Sequence, residues 1–235
     1  DTPVTIMSSD EDTIVPPDVN NAARAEVYRP LPGEAAKDVT VTVTITDSDS
    51  GVSASRSFLI AVQPLTQQEI DDELALMAAV KAHYFDGIRN ANTDAKNILT
   101  DLHPFQEAYL DADGRLVWVY DHADLTGSGI VPVAMDGWTE SEQWRLFRST
   151  DPAVISHENL LVTRAAGDKT VTVSSELSSE TLGKYAARYP DNKDFQALSC
   201  QPVSVELTVP GTEPVTPTPV DPTPVEPDHK ALSVT

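Results

Sequence analysis

The chain of 235 residues reads as mainly β: two related β modules in tandem, a helix between them, and a proline-rich extension after the second. Three observations predict this. First, one order of signals occurs twice. Ser8-Ser9-Asp10 leads to Ile14, then Val27 and Arg29, then the alternating run 39–46, then Phe58, Ile60 and Val62. Ser149-Thr150-Asp151 leads to Ile155, then Val162 and Arg164, then the run 170–173, then Val203, Val205, Leu207 and Val209. A repeated order of this kind constrains architecture before any single residue does. Second, the apolar period lengthens from two to between three and four at Thr66. Third, prolines crowd the chain from Pro210 onward.

The first module is expected over 1–65. Val39, Val41, Val43 and Ile45 alternate with Thr40, Thr42, Thr44 and Thr46. Side chains two apart share one face of a strand, so the valine face should point inward and the threonine face to water. The turn 47–51 is rich in Asp, Ser and Gly, and 53–62 should return as the hairpin partner. Pro30 and Pro32 flank Leu31 and make the approach to the first strand irregular.

The second module is expected over 66–209. Thr66 and Glu69 have capping-box spacing. Ile70, Leu74, Met77, Val80 and Tyr84 then form one helical stripe, giving a helix over 67–84 that Asp86-Gly87 ends. A short helix is expected over 94–102. The segments 105–110 and 115–120 read as a hairpin about an Asp-Gly turn at Asp113-Gly114. Its second strand is apolar on both faces and should be largely buried. The stretch 121–143, with Gly127, Gly129, Pro132 and Gly137, reads as a long loop. Compared with the first copy, the second carries an insertion over 180–199. Leu182, Tyr185, Ala186 and Tyr189 have helical spacing there, and Pro190 ends the run.

Residues 210–228 form the linker. Their prolines lack amide donors and favour an extended polyproline-II chain reaching roughly 55 Å and touching neither module. Residues 229–235 read as the start of a further module, and the abrupt opening at Asp1 reads as an excerpt.

The 37 acidic and 16 basic residues give a net charge of −21. That balance opposes binding to phosphate backbones and anionic membranes, where affinity comes from Lys and Arg. It excludes nucleic acid as a partner. No apolar run approaches the ~18 residues of a membrane span. Cys200 is alone, so no disulfide closes within the chain, and it should pack as a small core residue.

The pattern of Trp144, a Ser-Ser/Thr-Asp turn, an Ile, a Val-x-Arg segment, an alternating Val/Thr strand and a closing apolar strand resembles the atrophied bacterial immunoglobulin-like domains of Gram-positive cell-surface proteins. Residues 144–209 match with the insertion, and 8–62 match without the beginning. In that family a helix like the one at 66–84 precedes the Trp-bearing strand. The resemblance implies tandem immunoglobulin-like β-sandwiches with an inserted α-helix and a Pro-rich linker. It implies a non-catalytic spacer and adhesion segment of a multi-module protein, extracellular, on a bacterial surface or wall. The family has no catalytic residues to carry over. A host or cell-wall glycan or protein would be the ligand, the isolated segment would be monomeric, and no cofactor is implied.

Metal and active-site signals are sparse. Asp111-x-Asp113-Gly114 has part of a Ca²⁺ loop, but glycine comes early and His122 stands where an EF-hand has Glu. A hairpin turn accounts for it, leaving Asp111 and Asp113 as the metal candidates. Asp47 and Asp49 read likewise. The five histidines are scattered without helical metal spacing. No nucleophile elbow or phosphate-cradling glycine loop occurs. A glycosidase pair would need carboxylates held ~5–10 Å apart, and nothing in the sequence marks one. Trp118 and Trp144 should pack in the core. Trp138 lies in a Gly/Asp loop and is the candidate for ligand contact. The alternative function, a carbohydrate-binding β-sandwich module, rests on a sugar-stacking platform of Trp118, Trp138 and Trp144 with Tyr109 and Tyr120.

Overall fold

The computed structural model describes residues 3–17, 24–135 and 145–212. The chain is mainly β, with antiparallel sheets and few helices. Strands β1 (Val4–Ser8), β4 (Lys37–Thr46) and β5 (Ser53–Val62) form a three-stranded sheet in the order β1-β4-β5. A short ladder of β2 (Ile14–Val15) and β3 (Glu26–Val27) lies against it. The turn 47–51 forms as expected, with Gly51 at φ +70° and the Asp47 carboxylate accepting the Asp49 and Ser50 amides.

The valine face of β4 is covered only in part. Val39 is fully buried with Ile14 and Val62, whereas Ile45 at the other end is 48% exposed. The expectation that all of Val39, Val41, Val43 and Ile45 face a core therefore holds only at the Val39 end. The alternation is right; the layer that would cover the rest is not among the described residues.

Helix α1 (Gln67–Ala82) begins with the anticipated capping box. The Thr66 hydroxyl accepts the Glu69 amide at 3.1 Å, and Glu69 accepts the Thr66 amide at 2.7 Å. Ile70, Leu76, Met77 and Val80 are buried. Gly87 does not end the helical region. A second helix, α2 (Tyr84–Ile88), runs through it, because the Trp118 ring lies against Gly87 where a Cβ would fall within 2.4 Å of it. The glycine is there for close approach rather than as a stop.

No helix forms over 94–102. That segment is a series of turns organised by Asn92, which is 4% exposed. Its amide donates to the Arg89 and Thr100 carbonyls, and its oxygen accepts the Leu99 and Thr100 amides. One buried side chain thus satisfies backbone groups that a helix would have paired.

The second sheet runs β11-β10-β8-β6-β7, with β9 (Arg148–Ser149) also on β10. The hairpin β6 (Glu107–Leu110) and β7 (Leu116–Val119) forms as expected, with Gly114 at φ +75°. Its second strand is mostly half-buried, with only Val119 enclosed. The stretch read as a loop contains strand β8 (Ile130–Val133). Pro132 argued against a strand, but β8 meets β6 only at Ala108↔Ile130, so no neighbour needs the missing donor on that edge. Strand β10 (Lys169–Ser179) pairs with β11 (Gln201–Val209) from Lys169 to Leu177. Between them lie α3 (Tyr185–Arg188), close to the expected helical stretch, and α4 (Lys193–Ala197), capped by Asn192, which was not anticipated. Helix α1 covers the face of β10 that carries Val171, Val173 and Leu177, all nearly inaccessible.

Matching hydrogen bonds occur in the segments 8–64 and 149–211. Asp10 and Asp151 each donate their amide to the preceding Ser hydroxyl, at 3.2 Å in both. The Ile14 and Ile155 amides return to the Asp10 and Asp151 carbonyls. Thr40 donates its amide to the Ser9 hydroxyl, and Thr172 donates its amide to the Thr150 hydroxyl. Ile14 pairs with Val27, and Ile155 bridges to Val162. The Arg29 guanidinium holds the carbonyls of Gln63 and Pro64 just after β5, and Arg164 holds those of Pro210 and Gly211 just after β11.

Two further expectations change. Cys200 is exposed, not a core residue, and sits at φ +48° entering β11. Residues 210–212 are not free of the module. Besides the Arg164 contacts, Gly211 donates to Asp168 and Thr212 to the Ala165 carbonyl. Residues 213–235, with the rest of the expected linker, lie outside the described residues.

Candidate functional site

A cleft of about 650 Å³ lies where the first unit meets the second. It is lined by Val27 and Arg29, by Glu69, Asp72 and Glu73 of α1, and by Glu180, Lys184 and Tyr185 of the 180–199 segment. It exists because the insertion reaches back to the first unit. Lys184 donates to the Val27 carbonyl at 2.7 Å, and the Arg29 amide donates to the Tyr185 hydroxyl at 2.6 Å. The guanidinium carbon of Arg188 lies 3.6 Å from the Tyr28 ring centroid, and Arg188 also donates to the Asp12 carbonyl. The Lys184 ammonium sits 4.7 Å from the same centroid, and Tyr185 meets Tyr28 edge to face at 5.4 Å. Burial holds Lys184 below the ordinary lysine range, against the opposing effect of Glu26.

The carboxylates of the cleft differ sharply. Glu69 is paired with Arg29 at 2.7 Å and closes the capping box, and the Arg29 hydrogen bond followed by the Thr66 amide lowers its carboxyl to about 2. Glu73 goes the other way. Burial raises it, because Thr181 and Ser179 compensate only in part and Oε2 is buried without a partner. Glu180 is also raised, by burial and then by the Glu107 charge. Glu107, fully buried behind the cleft, accepts the amides of Thr126, Ser128 and Gly129 and the Thr126 hydroxyl. Burial alone would raise it; those hydrogen bonds hold it below the usual carboxylate range. The arrangement offers carboxylates, hydroxyls and two engaged cations. No serine, cysteine or threonine nucleophile stands beside a histidine among the residues lining the cleft.

Of the residues singled out by sequence, Tyr109 lines this cleft, whereas Trp118, Asp111 and Asp113 do not. Trp138 and Trp144 lie outside the described residues. Trp118 is half-buried and packs edge to face on Phe105 at 4.8 Å. Asp111 is occupied as a turn: its carboxylate accepts the Asp113 and Arg115 amides. Asp113 pairs with Arg115 at 2.9 Å. Among the described residues no group of three His, Cys, Asp or Glu is placed to hold a metal. Nor is any described helix long and apolar enough to cross a membrane. Glu73 and Glu180 carried no sequence signal, because the features that distinguish them are burial and neighbours supplied by the insertion.

No family model, curated protein or solved structure matches the chain.

Proposed function

We propose that this chain is a non-catalytic spacer and adhesion segment of an extracellular bacterial surface protein, built from two immunoglobulin-like modules of the atrophied bacterial kind. The observation that carries this reading is the duplicated turn-and-bracket. The same serine-aspartate hydrogen bonds precede each long hairpin, and an arginine ties down the chain just after each. Two copies of one turn-and-strand framework suit a structural array better than a single evolved active site. The insertion docking supports a stiff joint between the modules, which a spacer needs. A net charge of −21 suits an exposed, solvated array.

A glycan array probed with the intact chain tests the reading. The spacer and adhesion reading predicts no glycan binding that depends on Trp138. A saturable hit lost on Trp138→Ala would replace it with a carbohydrate-binding module.

A further inference from the structure

The β1-β4-β5 sheet has two unlike faces. On one, Thr42, Thr44 and Thr46 share hydrogen bonds with Ser57, Ser55 and Ser53 at 2.8–2.9 Å, a hydroxyl ladder suited to water. The other face is apolar and open. Val4 is 38% exposed, Ile45 48%, Phe58 44% and Ile60 41%. Two depressions run along it. One, of about 180 Å³, lies between the sheet and the β2–β3 ladder and is lined by Ile6, Ile14, Val41 and Ile60. The other, of about 320 Å³, is lined by Val43, Ile45 and Phe58, with Arg56 over the Phe58 ring at 5.2 Å. An apolar face of this continuity marks a contact surface.

The second unit identifies what covers such a face. The pairs Val39↔Ile60 and Val41↔Phe58 correspond, by the matching turn contacts, to Val171↔Leu207 and Val173↔Val205. Val171, Val173 and Leu207 are at most 1% exposed. They are enclosed by α1, whose Met77 and Val80 belong to the same core, and Tyr84 of α2 bonds Ser175 on that face at 2.7 Å. We propose that the apolar face of β1-β4-β5 is the seat of an amphipathic helix of the α1 kind, supplied by a neighbouring module of the same polypeptide. The helix presents apolar side chains at spacings of three and four to Val43, Ile45, Phe58 and Ile60, and keeps its opposite face polar. A second copy of this chain fits less well, because two surfaces within molecules of charge −21 repel on close approach.

The proposal rests on the tandem-module reading, and its test fails separately from it. A fluorescein-labelled peptide of residues 66–90, the chain's own α1 sequence, serves as the probe in anisotropy titrations against the intact chain. Saturable binding is expected, weakened about tenfold by Ile60→Ser, as loss of one large apolar contact implies. Ile45→Ser, at the most exposed point of the face, should weaken it similarly and guards against misfolding of the first variant. Leu59→Ser, on the hydroxyl face, should change it less than about twofold. Absence of saturable binding to a chain whose circular dichroism is intact overturns the seat and leaves the tandem reading, which rests on the paired turn contacts, standing. Equal weakening by Leu59→Ser also overturns it. So does a concentration-dependent dimer in sedimentation that Ile60→Ser abolishes, which would assign the face to a second copy.

Discussion

At the scale of single residues, the described carboxylates sort by what donates to them. Glu107 is buried, and the 126–129 loop is wrapped on it. Glu107→Gln turns one acceptor into a donor facing backbone amides and should cost about 2–3 kcal/mol in chemical denaturation. Gly129→Ala should cost at least as much, because its Cβ would fall 2.5 Å from the Ala108 carbonyl oxygen. Glu73 predicts a gain. Its folded carboxyl is raised by burial, so the folded state binds the proton more readily than the unfolded state, and stability falls as pH rises through that window. Glu73→Gln should therefore raise the melting midpoint at pH 7, with the gain shrinking toward pH 4.5. Glu69 has the opposite sign. Its carboxyl is lowered from 4.5 to about 2, so its stabilisation is present above 4.5 and disappears as pH falls toward 2. The pair is partly exposed, so the effect is modest. In Arg29→Ala the Glu69 carboxyl resonance should titrate higher, part of the way back toward the ordinary glutamate value, because the Thr66 contacts remain; an unchanged titration would show that Thr66 alone sets it.

At the scale of elements, patterns internal to one segment were legible and those completed by another were not. The capping box at Thr66, the α1 stripe, the β4–β5 hairpin and the Asp113-Gly114 turn each follow from a few adjacent residues, and each formed. Strand β8 was missed because Pro132 and its flanking glycines look like a loop until β10 lies alongside. The segment 94–102 looked helical because nothing local announces that Asn92 will bind its backbone. Gly87 looked like a stop because Trp118, which fills the space above it, comes from another strand. The candidate site suffers most from this limit. Glu73 owes its character to Ser179 and Thr181, far along the chain, whereas the Asp111 turn, readable locally, is spent on its own backbone. The covered and open ends of β4 give a direct check. Val39→Ala should cost about 1–3 kcal/mol, whereas Ile45→Ala should stay below about 1 kcal/mol in the isolated chain. Equal costs in a urea series would mean that the open end is covered in solution.

At the scale of the whole molecule, the insertion is what makes two units act as one. Tyr28 is held between Arg188, Lys184 and Tyr185, and these contacts join residues more than 150 apart in sequence. Tyr28→Ala combined with Arg188→Ala should split a single calorimetric transition into two, with the earlier belonging to the β1-β4-β5 unit, whose own core is small. A single transition in the double variant would show that Arg29 and Glu69 alone couple the units. The strand registers also set how the first sheet meets tension. Val4 of β1 lies opposite Ile45, at the end of β4 where Ala54 of β5 also pairs, while β5 leaves the sheet at Val62 beside Lys37. The chain thus enters at one end of the sheet and leaves at the other, with β1 and β5 parallel on either side of β4. A pull along the polypeptide loads the ladders in shear, so their hydrogen bonds must yield together rather than unzip one after another. With the Arg29 bracket locking the exit strand to α1, the load passes on to the second unit without first peeling an edge.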